Sequence, residues 1–168
     1  PTPDDDLAAE MYCVMLERAA EAGYEHYEIS NLCLPGFESG HNTKYWTSAP
    51  YYGFGCSAHS FDGASRRWAN ERDLGKYVAM VERNALPLVE DRRLSEEDRR
   101  AEAVFLGMRM MAGVRTGKFK ELFGVDLRAT RADELENFRQ AGLIEFDGDL
   151  LKLTRAGALL SNEVFAAF

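Results

Sequence analysis

LIEFDGDLLKL, residues 143–153, reads as two short apolar-rich strands turning back at Asp147-Gly148. Asp-Gly between such runs is a strong hairpin signal, because glycine accepts the positive φ that a tight turn demands. Three helical stretches precede it. Ser95, with Asp98 three positions on, has the form of a helix cap. Ala101, Val104, Phe105, Met108, Met111 and Ala112 then share one helical face that stops at Gly113. Lys118–Phe123 predicts a short helix. Asp126–Gln140 predicts a third, with Leu135 and Phe138 apolar and Gly142 as its stop. After the hairpin, Thr154 caps a last helix through Leu159, Leu160, Val164 and Phe165. Three helices, a hairpin and a helix make a winged-helix-like module over residues 93–168. The methionines of 105–112 read as core rather than as a cofactor box.

Further toward the N-terminus the pattern is looser. Residues 85–94, ALPLVEDRRL, read as a connector. Arg66–Ala69 reads as a short strand; Asn70, with Asp73 three residues on, resembles a capping box before the helix face Leu74, Tyr77, Val78 and Val81. Tyr52–Phe61 predicts a buried strand, with Gly53 and Gly55 marking close backbone approach and His59 inside it. Asn31–Ser48, rich in Gly, Pro, Asn, Ser and Thr, predicts loop. Tyr24–Ser30, YEHYEIS, alternates as a strand does, with Tyr27 and Ile29 on one face. A helix over 3–22 is predicted by Thr2 as cap, Pro3 at the first helical position, and Leu7, Met11, Val14, Met15 and Ala19 at helical spacing. Gly23 stops it. The class is α+β, and one helix and strand cannot close a sheet alone.

The 168 residues suffice for one ordinary domain or two small ones. An apolar fraction of 46% fits a globular chain. No stretch approaches the roughly 18 apolar residues of a membrane span. The opening Pro-Thr-Pro-Asp-Asp-Asp is acidic rather than basic, unlike a signal peptide. Net charge −8 disfavours a nucleic-acid partner, which calls for a basic face. Cys13, Cys33 and Cys56 form no CxxC pair, so neither a zinc site nor a disulfide framework is indicated, and a reducing cytoplasmic setting is expected.

Residues 37–61, FESGHNTKYWTSAPYYGFGCSAHSF, concentrate unusual residues. Two of the three histidines and one of the two tryptophans fall here, among tyrosines and glycines. Aromatics beside imidazole suit a flat, mostly apolar ligand with one polar or metal-binding point. A lone histidine is weak evidence of a ligand, and taken without context Tyr45 and Trp46 read first as hydrophobic anchors.

HNTKYW at 41–46 matches the HNxxYW motif of HemW-type heme chaperones. These are relatives of oxygen-independent coproporphyrinogen III oxidases in the radical S-adenosylmethionine superfamily. YEISN at 27–31, PGFE at 35–38, GFGCSAHSF at 53–61, NERDLGKYV at 70–78, LSEEDRRAE at 94–102, FLGMRMMAGV at 105–114 and the stretch from Ala141 to Phe165 resemble that family colinearly. The family's CxxxCxxC, which holds a [4Fe–4S] cluster, is absent, and the three cysteines cannot imitate its spacing. The resemblance therefore implies the C-terminal portion of a longer protein. Residues 1–64 would be the last helix and strands of a partial TIM-like radical SAM barrel, 65–92 a connecting strand and helix, and 93–168 the family's C-terminal domain.

In that reading His41 is the heme-iron ligand, Tyr45 and Trp46 pack on the macrocycle, and Asn42 holds the loop or bonds a propionate. Gly40 departs from the arginine that relatives commonly carry before the histidine. His59 is a core residue or lines the barrel interior; Gly53 and Gly55 approach S-adenosylmethionine or permit tight packing; Glu28, Ser30 and Asn31 end a strand facing the site or cap a loop. The cluster and S-adenosylmethionine belong to the full-length parent only, so radical chemistry by this chain alone is not expected. Implied partners are heme or porphyrin, a heme-accepting protein and the missing N-terminal barrel portion, with peripheral membrane contact and a dimer through an exposed sheet edge also allowed. Two other functions compete: an oxidase fragment, which HNxxYW disfavours, and a winged-helix nucleic-acid binder, which charge disfavours.

Overall fold

A computed structural model describes residues 4–168, so Thr2 and Pro3 lie outside the described residues. The first helix, α1, spans Asp5–Glu21; the Asp4 carboxylate accepts from the Leu7 amide, and Asp5 and Asp6 sit at the helix's positive end. A short hairpin follows, β1 (Glu25–Glu28) with β2 (Asn31–Cys33). Next come α2 (Gly40–Trp46) and a three-stranded antiparallel sheet of β3 (His59–Phe61), β4 (Arg66–Asn70) and β5 (Leu88–Arg93), with α3 (Leu74–Glu82) between β4 and β5. The remainder is α4 (Glu96–Arg109), β6 (Val114–Arg115), α5 (Thr116–Phe123), α6 (Leu127–Thr130), α7 (Ala132–Gln140), β7 (Ile144–Asp147), β8 (Leu150–Leu153), α8 (Arg155–Leu159) and α9 (Ser161–Phe165). Its sheet has the order β6-β8-β7, so β8 is central.

The hairpin forms where expected, with one refinement. Asp147 pairs with Leu150, so the two turn residues are Gly148 and Asp149. Gly148, at φ +58°, takes the first central position, as a type II′ turn requires. The Ser95 cap also forms: Ser95 and Asp98 exchange side-chain and backbone hydrogen bonds. The core lies in this half of the chain. Val104, Met108, Val114, Phe119, Leu127, Leu135, Ile144, Leu151, Leu153 and Val164 form one buried cluster. Gly157 brings α8 against the Leu143 backbone, where any Cβ would collide.

Elsewhere the structure corrects the sequence reading. Asn31–Ser48 is not all loop: β2 pairs with β1, and HNTKYW is helical, capped by Ser39, whose hydroxyl accepts from the Asn42 amide. Tyr52–Phe61 is not a buried strand; only His59–Phe61 is extended in the sheet, and Tyr52 and Phe54 are exposed. Residues 88–93 are a strand rather than a connector. Asp73, not Asn70, caps α3, since its carboxylate accepts from the Lys76 amide while Asn70 belongs to β4. Residues 126–140 break into α6 and α7, and the last helix into α8 and α9.

The expected apolar stripe of α1 is present in sequence but open in space. Leu7, Met11, Val14 and Met15 are exposed, and α1 buries no residue fully. The helix is held through Arg155, which donates to the Cys13 carbonyl and pairs with Glu17. β1 is engaged on both edges: besides β2, the Ile29 amide bonds the Arg109 carbonyl and the Met111 amide bonds the Tyr27 carbonyl, each at 3.0 Å. Among the described residues no helix is long and apolar enough to cross a membrane.

Candidate functional site

The site is built on α2. This helix is too short to stand alone, since helix nucleation is costly and a few turns do not repay it. Packing against α4 holds it. Trp46 supplies that packing, and Tyr45 anchors the helix on Tyr51. The Tyr45 ring meets the edge of Tyr51 with centroids 4.6 Å apart. The Trp46 ring lies under the Arg109 guanidinium at 4.2 Å. Such a cation over an indole face is attracted by the ring quadrupole.

Arg109 has a second partner, and it is the most buried charge among the described residues. It donates to Glu28 at 2.6 Å, where the Glu28 side chain has 0% exposure and that of Arg109 25%. Glu28 also accepts from Asn31 Nδ2 at 2.5 Å and from the Ser30 amide at 3.2 Å. A buried carboxylate is tolerated when its lone pairs are filled and a cation is at hand. One guanidinium thus ties the end of β1, the end of α4 and the end of α2. Ser30 and Asn31 act in this structure by saturating Glu28.

A neighbouring network fixes Tyr51. It exchanges backbone hydrogen bonds with Phe61, and its hydroxyl accepts from Arg67 at 3.1 Å. Arg67 lies over the Phe61 ring at 4.3 Å and pairs with Glu102 on α4 at 2.6 Å. Tyr45 therefore rests on a ring that is itself held from two sides.

His41 contrasts with these anchors. It is exposed, one helical turn before Tyr45, and its Nε2 lies 3.1 Å from the Tyr45 hydroxyl. Residues four apart on a helix are surface neighbours, which explains the pairing. Two clefts, of ≈ 530 and ≈ 260 Å³, flank Trp46, and His41 lines neither. Asn42 is half-buried, its amide engaged by Ser39.

The other expected site residues do not converge on His41. His59 is exposed at the start of β3, neither a core histidine nor the wall of a cavity. Gly53 is a packing glycine: an added Cβ would collide with the His59 carbonyl, and its amide donates to Ser60 Oγ. Gly55 has φ +101° and open space where a Cβ would be, so it serves backbone conformation rather than close approach. The structure joins His41 with Tyr45 and Gly53 with His59, as two separate pairs.

The donor set fits one kind of iron and not another. A single exposed imidazole can supply one axial bond to a porphyrin iron. An iron–sulfur cluster needs converging thiolates. Cys33 is buried while Cys13 and Cys56 are half-buried, all three are free, and no group of three His, Cys, Asp or Glu converges among the described residues. Burial and the nearby Glu38 and Glu25 carboxylates also push the Cys33 thiol upward, against the thiolate form.

Residues 94–160 match the HemN C-terminal domain. Over 166 residues the sequence is 34% identical to the heme chaperone HemW of Bacillus subtilis, covering 99% of this chain and 44% of that protein. It is 33% identical to the HemW of Lactococcus lactis, over 99% of this chain and 43% of that protein. The sequence is thus similar to HemW heme chaperones over nearly its whole length. It spans less than half the length of the HemW proteins that it matches. The backbone superposes on the radical SAM enzyme coproporphyrinogen III oxidase (HemN) of Escherichia coli with a TM-score of 0.77, covering 98% of this chain and 41% of the enzyme. At 16% identity that likeness is one of fold. The HemW match includes α2, so the helix carrying His41 lies within the matched region.

Arg109, Tyr51 and Arg67 are site residues that sequence reasoning missed. FLGMRMMAGV carried a signal for Arg109, a lone charge within an otherwise apolar run.

Proposed function

We propose that this chain is the heme-presenting portion of a heme chaperone, with His41 as axial ligand and the heme handed on to an acceptor protein. The observation that carries this is the contrast within α2. Tyr45 and Trp46 wedge the helix onto the body, while His41 stands in solvent at its first turn. A carrier must release its cargo, and an exposed single donor on a rigid base suits release better than an enclosing pocket. Neutral imidazole is a common axial ligand. The Asn42 backbone N–H donates to the Ser39 hydroxyl at the helix start, a bond in which its side chain takes no part. Gly53, Gly55 and His59 serve the β3 loop in this proposal, not the heme.

The same proposal assigns residues 1–64 to the end of a radical SAM barrel and 93–168 to a winged-helix-like domain. The order helix, short strand, three helical segments and β-hairpin from α4 to β8 supports the second assignment. The [4Fe–4S] cluster and S-adenosylmethionine would belong to the longer parent.

Of the alternatives, the nucleic-acid reading finds its arginines already occupied. Arg131 pairs with Glu134 at 3.1 Å and Arg139 with Glu136 at 2.7 Å. Arg139, with help from Gln140, holds the Glu136 carboxyl down at about 2. Arg128 lies over Phe146 and donates to the Gly148 carbonyl. Phosphate contacts would have to displace these pairs.

The test is a hemin titration followed by Soret absorbance. The wild-type chain is expected to give a saturable Soret shift that His41→Ala loses. Equal shifts in both proteins would remove His41 from the ligand role.

A further inference from the structure

We propose that the Tyr45 hydroxyl is a latch on the ligand nitrogen of His41, which must let go of Nε2 before iron can bind there and whose return hastens the iron's departure. The inference rests on the reading of His41 as the heme ligand. Its starting point is the 3.1 Å contact between the Tyr45 hydroxyl and His41 Nε2. A neutral imidazole has one acceptor nitrogen, and the other carries the proton. The phenolic O–H is the natural donor of this pair, so Nε2 accepts and Nδ1 is protonated. In that state neither nitrogen offers a free lone pair to a metal.

Iron could in principle approach either nitrogen. Nδ1 is adjacent to the ring carbon that joins Cβ, so a macrocycle bonded there would run into the backbone of α2. Nε2 is the outer nitrogen and leaves room. Coordination through Nε2 then breaks the bond from Tyr45.

The latch is stiff and its target is not. Tyr45 is braced by Tyr51 and Trp46, at centroid distances of 4.6 and 6.4 Å. Tyr51 is in turn tied to Phe61 and Arg67. His41 is exposed and meets Tyr45 edge-on at 5.2 Å. The hydroxyl therefore stays where it is when His41 swings out, and it competes for Nε2 whenever His41 swings back. A built-in competitor lowers affinity without adding a second ligand, which is a property a carrier needs.

Tyr45→Phe tests this, because it keeps the ring and its stacking and removes only the hydroxyl. In the heme-free protein, ring-nitrogen NMR is expected to show His41 Nε2 as a hydrogen-bonded acceptor. Tyr45→Phe should move the His41 ring signals while those of His26 and His59 stay in place. In hemin titrations Tyr45→Phe should bind about two- to tenfold more tightly, the range set by one exposed hydrogen bond. Heme loss to excess apomyoglobin should slow in proportion. Unchanged or weaker hemin binding by Tyr45→Phe overturns the latch. Equal hemin binding by His41→Ala overturns the reading of His41 itself, and the latch with it.

Discussion

Arg109→Ala is expected to destabilise the chain by about 3–5 kcal/mol, the usual cost of stripping one partner from a buried ion pair. Glu28 would keep its bonds from Asn31 and Ser30 but lose its only cation among the described residues, at a position with no solvent access. Trp46 would lose the guanidinium above its ring, so α2 would lose part of its seat. The effect is asymmetric, and this makes the claim specific. Removing the charge on both sides should cost less than removing it on one. Glu28→Gln combined with Arg109→Leu should therefore lie closer to wild type than Arg109→Ala alone, because the substituted amide oxygen can still accept from Asn31. Urea denaturation reads both. A double variant less stable than Arg109→Ala would show that the charge pair is not what matters at this junction.

Leu151→Ala should cost about 2–5 kcal/mol, through lost transfer energy and the cavity left behind. Leu151 is fully buried at the centre of β8, paired with Val114 on one side and Phe146 on the other. Neither neighbouring strand can collapse into the space without breaking its ladder. Leu122 is 67% exposed on α5, and Leu122→Ala should stay within about 0.5 kcal/mol. The urea midpoint should fall for Leu151→Ala with its slope unchanged. Equal costs at the two leucines would mean that the core does not lie around β8.

The fold of residues 95–165 was largely legible because its signals are local. The Ser95–Asp98 box, the Gly148 turn and the Gly142 stop are each set within a few residues by backbone chemistry; Gly113 is not such a stop, because α4 already ends at Arg109 and the Met111 amide bonds the Tyr27 carbonyl instead. The N-terminal half was less legible because tertiary contacts decide it. α2 has too few turns to show a period, and its Ser39 cap sits in a run of turn-forming residues. β5 was hidden by charge: an exposed strand of EDRR needs only its ladder with β4, which a hydrophobic pattern does not report. Tyr52 and Phe54 suggested burial by type, yet they face solvent. The motif residues could be found from resemblance to a family, but their division of labour could not. Trp46 meets Arg109 and Tyr45 meets Tyr51, and those contacts exist only after folding. The Glu28–Arg109 pair spans 81 positions, beyond the reach of any local rule.

That division of labour also shapes the proposed chemistry. The aromatic rings of HNTKYW are spent on anchoring α2, which leaves the imidazole as the group of the motif placed to meet a metal once its bond from Tyr45 opens. Resonance Raman of the reduced, heme-loaded chain tests this most directly. With ¹⁵N-labelled histidine, the iron–nitrogen stretching band should shift, and His41→Ala should abolish it. A band that ignores the label, or that survives in His41→Ala, would contradict ligation by His41.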